Sequence, residues 1–205
     1  ANLQDFRSAG IQYLVVGRLI NRSGGYQAEF KLYNTGDSQL LLNEAVTAPA
    51  RDQRFAAHHI ADLVYEKLTG ERGAFATRIA YVVASGNSRA LKVADSDGHN
   101  AKTILASNEP ILSPAWSPDG KRLAYVSFET GRPAIYVQEL ASGNRSKLAG
   151  FPGLNGAPAW SPDGSRLALT LSKDGSPDIY LMEMGTRQLR RLTFSDAIDT
   201  EPAWS

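Results

Sequence analysis

The sequence predicts an α/β N-terminal domain, present in part, followed by an all-β propeller of which about two and a half blades are present. The first observation is a repeat: Pro-Ala-Trp-Ser-Pro-Asp-Gly at 114–120 returns at 158–164, and its first four residues return at 202–205. The second is its regular spacing, since Trp116, Trp160 and Trp204 follow one another every 44 residues. The third is a change of pattern, because the first seventy residues do not share this repeat.

Each 44-residue unit contains four short apolar segments. They are four to six residues long and bounded by Gly, Pro, Asn, Asp or Ser, which is typical of strands joined by turns. Four strands in about 40 to 45 residues match a propeller blade, whereas a two-helix repeat would not place Pro and Gly inside every unit. Fixed large aromatics in such strands favour packing between blades, so we interpret the repeated tryptophans as core residues rather than recognition residues.

The Ser-Pro-Asp-Gly segment predicts a hairpin turn in each repeat. Pro presets φ at the second position, Asp tolerates the third, and Gly supplies the positive φ that reverses the chain. This role accounts for Asp119 and Asp163, so neither indicates carboxylate chemistry.

The first blade begins without its first strand. Forty-four residues before Ser117 the sequence reads Gly-Ala-Phe-Ala at 73–76, not the motif. We therefore expect three strands over about 78–105, complete blades at 113–149 and 157–193, and the first strand of a fourth blade. A later strand is expected to complete the first blade, and both ends of the chain are interpreted as cut.

The first seventy residues predict a meander of three strands and a helix. The strands are expected at 11–20, 26–34 and 39–48, and the helix at 52–69, with Asp52 near its N-cap and Gly70 as its terminator. A short segment at 3–8 is interpreted as the end of an earlier helix, and Ala56, Ile60, Leu63 and Val64 form one apolar stripe. The predicted domains are 1–70, a linker at 71–77 that includes the hinge, and the propeller at 78–205.

Composition excludes several classes of function. The net charge is +1, with 22 basic and 21 acidic residues spread along the chain, so no electrostatic footprint for nucleic acid or anionic membrane is present. The absence of cysteine excludes disulfides and thiolate chemistry. No apolar run reaches the roughly 20 residues of a membrane helix, so direct membrane insertion is not expected.

Candidate metal and catalytic patterns are weak. The segment 95–98, Asp-Ser-Asp-Gly, lacks further ligands of a calcium loop and favours a plain turn. His58 and His59 are adjacent on a helix and point about 100° apart, and His99 is isolated. No Gly-x-Ser-x-Gly elbow or phosphate-binding Gly loop occurs. We therefore predict no cofactor, no metal and no enzymatic activity.

Several segments resemble the TolB family. The junction around 66–83, with Glu-Lys-Leu-Thr-Gly at 66–70 and Arg-Ile-Ala-Tyr-Val-Val at 78–83, is similar to that family's domain junction. The propeller segments 112–120, 123–126, 155–159 and 200–202 are similar as well, so the resemblance covers nearly the whole chain. It implies a six-bladed ring.

The resemblance also implies a function. It indicates a periplasmic, non-enzymatic scaffold of the Tol-Pal system that supports outer-membrane integrity and cell division and is a target of colicins. The propeller would bind the peptidoglycan-associated lipoprotein Pal, and an N-terminal segment absent here would bind TolA. The alternative is the propeller of a serine peptidase whose catalytic domain lies outside this chain.

The candidate binding residues lie in loops on one face of the propeller. Loops at 106–113, 150–157 and 194–201 join successive blades, and the loops at 84–90, 128–134 and 172–178 emerge on the same face. The resemblance places Pal there, and the partner-binding residues next to the repeated motif are predicted to be Leu154, Asn155, Ala157, Thr200 and Glu201. A second interpretation is that Thr200 and Glu201 only order the loop before Pro202.

Overall fold

The computed structural model describes residues 2–205, except for the side chain of Arg51. The chain forms two compact units: the residues up to Arg78 with Asp95–His99, and Ile79–Ala94 with Asn100–Ser205. The predicted domain boundaries at 70 and 78 stay a prediction.

The first unit consists of a three-stranded sheet and two α-helices. Helix α1, Leu3–Ser8, is followed by β1, Tyr13–Arg22, β2, Gly25–Asn34, and β3, Leu40–Pro49. The sheet has the order β1-β2-β3 and is antiparallel throughout, as predicted. Phe30, Leu32 and Ala48 form its buried core.

Helix α2, Gln53–Thr69, follows a 3-10 turn at Ala50–Asp52. Asp52 occupies its N-cap position, as predicted, although its side chain makes no capping hydrogen bond. Gly70 ends the helix as predicted: its φ is 77°, and its N–H donates to the Glu66 carbonyl at 2.8 Å. The left-handed conformation explains the use of glycine there.

The segment expected to be a linker is bound to α2. The Asp62 carboxylate accepts from the N–H of Phe75 at 2.7 Å and from the N–H of Ala76 at 3.0 Å. A Cβ on Gly73 would lie 2.6 Å from the Cα of Asp62, so only glycine fits this approach. Residues 73–76 are therefore held by hydrogen bonds within the first unit, a constraint that the Gly-rich sequence did not indicate.

The second unit is built from antiparallel sheets that follow the 44-residue repeat. The first sheet has the order β4-β5-β6 and three strands, as predicted for a blade without its first strand. The second and third sheets have four strands each and form blade 2 and blade 3. The strands are β4 Arg78–Ser85, β5 Ser88–Asp95, β6 Lys102–Ser107, β7 Ile111–Trp116, β8 Arg122–Ser127, β9 Ala134–Glu139, β10 Arg145–Ala149, β11 Asn155–Trp160, β12 Arg166–Leu171, β13 Asp178–Glu183 and β14 Leu189–Arg191.

Two apolar clusters hold the blades together. One contains Leu91 and Val93 of the first sheet with Leu123, Tyr125 and other residues of blade 2. The other joins the opposite side of blade 2 to blade 3 and contains Val126, Trp160 and Leu169. Blade 2 thus buries both of its faces against neighbours, which explains why its strands are apolar on both sides.

The predicted first strand of a fourth blade does not form. Residues 202–205 belong to no strand, because no described strand lies beside them to complete a ladder of hydrogen bonds. Trp204 nevertheless packs as Trp160 does, since an arginine of the preceding repeat lies over its ring, and its Nε1–H donates to the Ala159 carbonyl at 3.0 Å.

Within residues 2–205, neither α-helix has both the length and the apolar character that a bilayer crossing requires.

Candidate functional site

The first strands of blades 2 and 3 each carry a bulge at the loop face of the propeller. In β7 the pairing with β8 shifts between Leu112 and Ala115, and in β11 the pairing with β12 shifts between Gly156 and Ala159. The shifts leave two residues opposite one, which is the pattern of a β-bulge.

A left-handed residue recurs at the same position of three successive repeats, twice within a bulge. Ser113, Ala157 and Glu201 have φ of 49°, 45° and 55°, they are spaced by 44, and each precedes a proline. Positive φ is unfavourable for residues with a Cβ, and the packing of the blades must maintain it. Two of the five predicted site residues, Ala157 and Glu201, therefore occupy strained backbone that the motif alone did not indicate.

Two other predicted residues have different roles in the loop before β11. Asn155 is fully buried, its amide donates to the Phe151 carbonyl at 2.7 Å, and its Oδ1 accepts from the Phe151 N–H at 2.9 Å. Its side chain thus holds the loop rather than facing outward. Leu154 is 39% exposed, and its N–H donates to the Ser172 hydroxyl at 2.7 Å.

All five predicted site residues line one cavity of about 160 Å³ on this face. Its lining comes from three successive repeats and includes both classes of loop that were expected to emerge together. Besides the five, the lining residues are Leu112, Ser113, Val126, Phe128, Pro133, Gly156 and Thr170. The structure thus brings together side chains that are up to about 90 residues apart in sequence.

Sequence reasoning missed part of this lining. Phe128 and Pro133 lie at the two ends of the β8–β9 loop, and Thr170 lies in β12. The repeat contained one signal that could have identified Thr170: the equivalent position of the preceding blade is the apolar Val126, so a hydroxyl at 170 departs from the pattern.

Charged and phenolic groups surround the β8–β9 and β12–β13 loops. Glu129 pairs with Arg145, and the hydrogen bond from that guanidinium lowers the pKa of the Glu129 carboxyl. In blade 3 the Tyr180 hydroxyl donates to Asp174 at 2.8 Å, and burial, with this hydrogen bond second, raises the pKa of Tyr180 to about 12. The Tyr180 phenol therefore remains protonated at neutral pH and serves as a hydrogen-bond donor.

The Ser-Pro-Asp-Gly turns lie at the opposite end of the strands and have the predicted structure. In blade 3 the Gly164 N–H donates to the Ser161 carbonyl at 2.9 Å, and the Ser161 hydroxyl donates to Asp163 at 2.6 Å. Blade 2 repeats both bonds between Ser117, Gly120 and Asp119. The carboxylates of Asp119 and Asp163 accept hydrogen bonds within their turns, which agrees with the interpretation that these residues shape the turn and carry no chemistry.

Arg54, His58 and the 95–98 segment form an ion-pair cluster in the first unit. Asp97 pairs with Arg54 and lies 3.4 Å from His58 Nε2, and the Gly98 N–H donates to the Asp95 carbonyl at 2.8 Å. The His99 N–H is the main cause of a lowered pKa at Asp97. In the described part of the chain, no group of three or more His, Cys, Asp or Glu side chains is arranged to hold a metal ion.

A larger cavity of about 700 Å³ lies on the first sheet. It is lined by side chains such as Arg18, Glu29 and Lys31, and Arg18 and Glu29 already pair with each other at 2.7 Å. The smaller cavity has the stronger claim as a binding site, because its walls combine apolar side chains with loops from several blades.

Comparisons with known proteins agree with this architecture. The family described as "TolB beta propeller domain" matches residues 65–205. The Tol-Pal system protein TolB of Xanthomonas oryzae pv. oryzae is 52% identical over 159 residues, which are 75% of this chain and 36% of that protein. TolB of Xanthomonas campestris pv. campestris is 53% identical with the same coverage.

A solved structure supports the same assignment. The crystal structure of TolB from Acinetobacter baumannii superimposes with a TM-score of 0.89 at 45% sequence identity, over 97% of this chain and 51% of that one. The chain thus spans about a third of the length of the Xanthomonas relatives and half of this structure. By its repeats, its sheets and these matches, the chain belongs to the TolB β-propeller family.

Proposed function

We propose that this chain is part of a non-enzymatic periplasmic scaffold of the Tol-Pal system, and that the loop face of its propeller binds the lipoprotein Pal. The observation that supports this most is the cavity at that face, which gathers Leu154, Asn155, Ala157, Thr200 and Glu201. Side chains from loops on a rigid scaffold are a common arrangement for recognition.

The chemistry of these residues suits a protein partner. Leu154 is exposed and apolar, and Glu201 and Thr200 supply polar groups beside it. Asn155 contributes by holding the loop that presents Leu154. A patch with an apolar centre and a polar rim is typical of protein–protein interfaces.

The wider role follows from the family. A scaffold that binds Pal would contribute to outer-membrane integrity and cell division, and its exposed propeller face would be available to colicins. TolA would bind an N-terminal segment outside this chain. These roles are proposals for the whole protein.

Titration of the lipid-free domain of Pal into the full-length protein tests the site. We expect Glu201→Lys and Ala157→Arg each to weaken binding by more than tenfold, about 1.4 kcal/mol. Glu201 is exposed, so its variant should keep the melting temperature, whereas Ala157 is buried and its variant is compared with the wild type only while it remains folded. Ala157 already bears a Cβ at positive φ, so arginine adds bulk at the site and no new backbone strain.

Matched controls exist at the opposite end of the strands. Glu139→Lys repeats the charge change at the end of β9, and Ala141→Arg repeats the added bulk in the exposed turn that follows. Both controls should bind Pal as the wild type does. Wild-type affinity in the two site variants would show that the wrong loops were chosen, and losses in the controls would move the site to the other face.

The enzymatic alternative is a peptidase propeller. We propose instead that the protein has no hydrolytic activity, because the catalytic motifs named above are absent from the chain. The full-length protein should hydrolyse peptides, esters and glycosides no faster than a buffer control. Turnover that a single substitution abolishes would overturn the scaffold assignment.

A further inference from the structure

The cavity at the loop face has the size of one aromatic ring. Its volume is about 160 Å³, and a cavity of about 150 Å³ lined by apolar side chains is known to accept benzene. Leu112, Val126 and Phe128 give it apolar walls. A short aliphatic side chain would leave part of this space empty.

One side chain of the lining is polar, buried and without a partner. Thr170 is 1% exposed, and its Oγ1 has no hydrogen-bond partner among the described residues. A buried hydroxyl left unpaired costs free energy. Packing does not require it, because the equivalent residue of the preceding blade is Val126, which is 3% exposed and has the same shape.

The rim of the cavity carries three left-handed residues, two in the bulges of β7 and β11 and one in the loop before Pro202. Ser113, Ala157 and Glu201 all line it, and all three have positive φ immediately before a proline. Proline restricts its own φ and the conformation of the residue before it. A rim of this kind loses little conformational freedom when a ligand enters, which favours binding.

We propose that this cavity receives the phenol side chain of a tyrosine from the protein partner, with the ring against the apolar walls and the hydroxyl hydrogen-bonded to Thr170 Oγ1. This inference rests on the proposed function and names the side-chain chemistry that the site recognises. Rotation about χ1 of Thr170 moves Oγ1 from one staggered position to another, which lets the hydroxyl turn toward the phenol oxygen. An acidic side chain is disfavoured because it would meet the carboxylate of Glu201.

Small aromatic probes test the cavity without the partner. p-Cresol reproduces the tyrosine side chain, and toluene reproduces its ring without the hydroxyl. In the full-length protein, we expect p-cresol to shift the methyl NMR signals of Leu112, Val126 and Leu154. We expect p-cresol to bind about fivefold more tightly than toluene, the preference that one net hydrogen bond confers.

The Thr170→Val variant tests the contribution of the hydrogen bond to binding separately from the contribution of side-chain shape. This variant keeps the volume of the side chain, so toluene should bind as before while the preference for p-cresol is lost. Thr103→Val is the control, because Thr103 is exposed in β6 and does not line the cavity. The proposal is overturned if p-cresol leaves those methyl signals unchanged, or if Thr170→Val keeps the full preference.

The Pal titration distinguishes failure of the tyrosine proposal from failure of the proposed function. If Glu201→Lys weakens Pal binding but p-cresol does not enter the cavity, the tyrosine proposal falls and the proposed function stands. If p-cresol binds in a Thr170-dependent manner but Pal does not bind at all, the proposed function falls and the phenol specificity of the cavity stands. Weaker Pal binding by Thr170→Val, with an unchanged melting temperature, supports both.

Discussion

The guanidinium of Arg122 lies over the indole ring of Trp160, 4.6 Å from its centroid. The arrangement recurs one repeat later, where Arg166 lies 5.2 Å from the centroid of Trp204. In both cases an arginine from the second strand of one repeat covers the tryptophan of the next. The contact therefore joins successive repeats. It explains why a tryptophan recurs every 44 residues at the same strand position.

Replacement of Trp160 by alanine should destabilise the protein strongly. Trp160 is 8% exposed and belongs to the cluster between blades 2 and 3, so the change removes a buried ring and leaves a cavity. We expect a loss of about 3 to 5 kcal/mol, measured by chemical denaturation. Trp116, which is partly exposed here, should show a loss in the same direction. An unchanged unfolding midpoint for folded Trp160→Ala would contradict interblade packing as its role.

Removal of the Arg122 charge should cost less. Arg122→Met keeps the aliphatic stem and loses the cation over Trp160, so we expect a loss of about 0.5 to 2 kcal/mol. Lys121→Met is the control, because Lys121 is the exposed neighbour in the same turn. Equal effects of the two substitutions on the free energy of unfolding would show that the contact with the ring contributes nothing.

Two buried threonines should respond in opposite ways to replacement by valine. The Thr35 hydroxyl donates to the carbonyls of Ile11 and Gln12, whereas Thr170 has no partner among the described residues. Thr35→Val should therefore lose about 1 kcal/mol, while Thr170→Val should be neutral or stabilising. Denaturation of the two variants of the full-length protein checks this. A comparable loss at Thr170 would reveal a partner for its hydroxyl outside this chain.

Glycine should be tolerated at Ala157 better than at Ala159. Ala157 has a φ of 45°, a conformation that costs a residue with a Cβ about 1 to 2 kcal/mol and costs glycine little. Ala157→Gly should therefore be near neutral or stabilising. Ala159→Gly, two residues along the same strand, should lose about 0.5 to 1 kcal/mol, because glycine weakens ordinary strand. Equal losses in thermal unfolding would mean that the bulge stores no strain.

The carboxyl of Asp163 should titrate below that of Asp119. The hydroxyl of Ser161 is the main cause of a lowered pKa at Asp163, and the Ser165 N–H and hydroxyl lower it further. At Asp119 the hydroxyl of Ser117 is the main cause, but the position of Ser165 is taken by Lys121, which supplies its N–H and its charge but no hydroxyl. Carboxyl chemical shifts recorded against pH should show this order.

The same carboxylates give the turns a pH dependence of known sign. Because the folded-state pKa is lowered, their contribution is present above the ordinary pKa of about 3.9 and is lost as the pH falls through the folded value. Ser165→Ala should raise the pKa of Asp163 and leave that of Asp119 unchanged. A shift at neither residue would rule out the Ser165 hydroxyl as a cause.

Local and periodic features of this protein could be predicted from the sequence. The 44-residue period placed the strands of blades 2 and 3, and Ser-Pro-Asp-Gly placed their hairpins, because turn chemistry and short apolar segments act within a few residues. Gly70 marked the end of α2 for the same reason. The loop face could also be predicted, since the order of strands in a blade determines which loops emerge together.

Hydrogen bonds between side chains and backbone, and the pairing of the last segment, were decided by the tertiary structure. Asn155 was expected to face a partner and is buried, because its amide satisfies the backbone of the loop at Phe151. The role of Asp62 in holding residues 75 and 76 joins positions 13 and 14 residues apart, which no pattern in the chain encodes. Likewise, residues 202–205 lack a ladder partner and form no strand despite repeating the motif.

The sequence by itself determined the period, the turns and the side chains available at each blade. Only the tertiary structure decided that Thr170 lies unpaired at a cavity shared by three repeats, and that Ser113, Ala157 and Glu201 share a left-handed conformation at its rim. The physical reason is that turns and strand alternation arise from neighbours in the chain. Cavities, buried hydroxyls and backbone strain arise from the packing of distant segments, which compensates their cost.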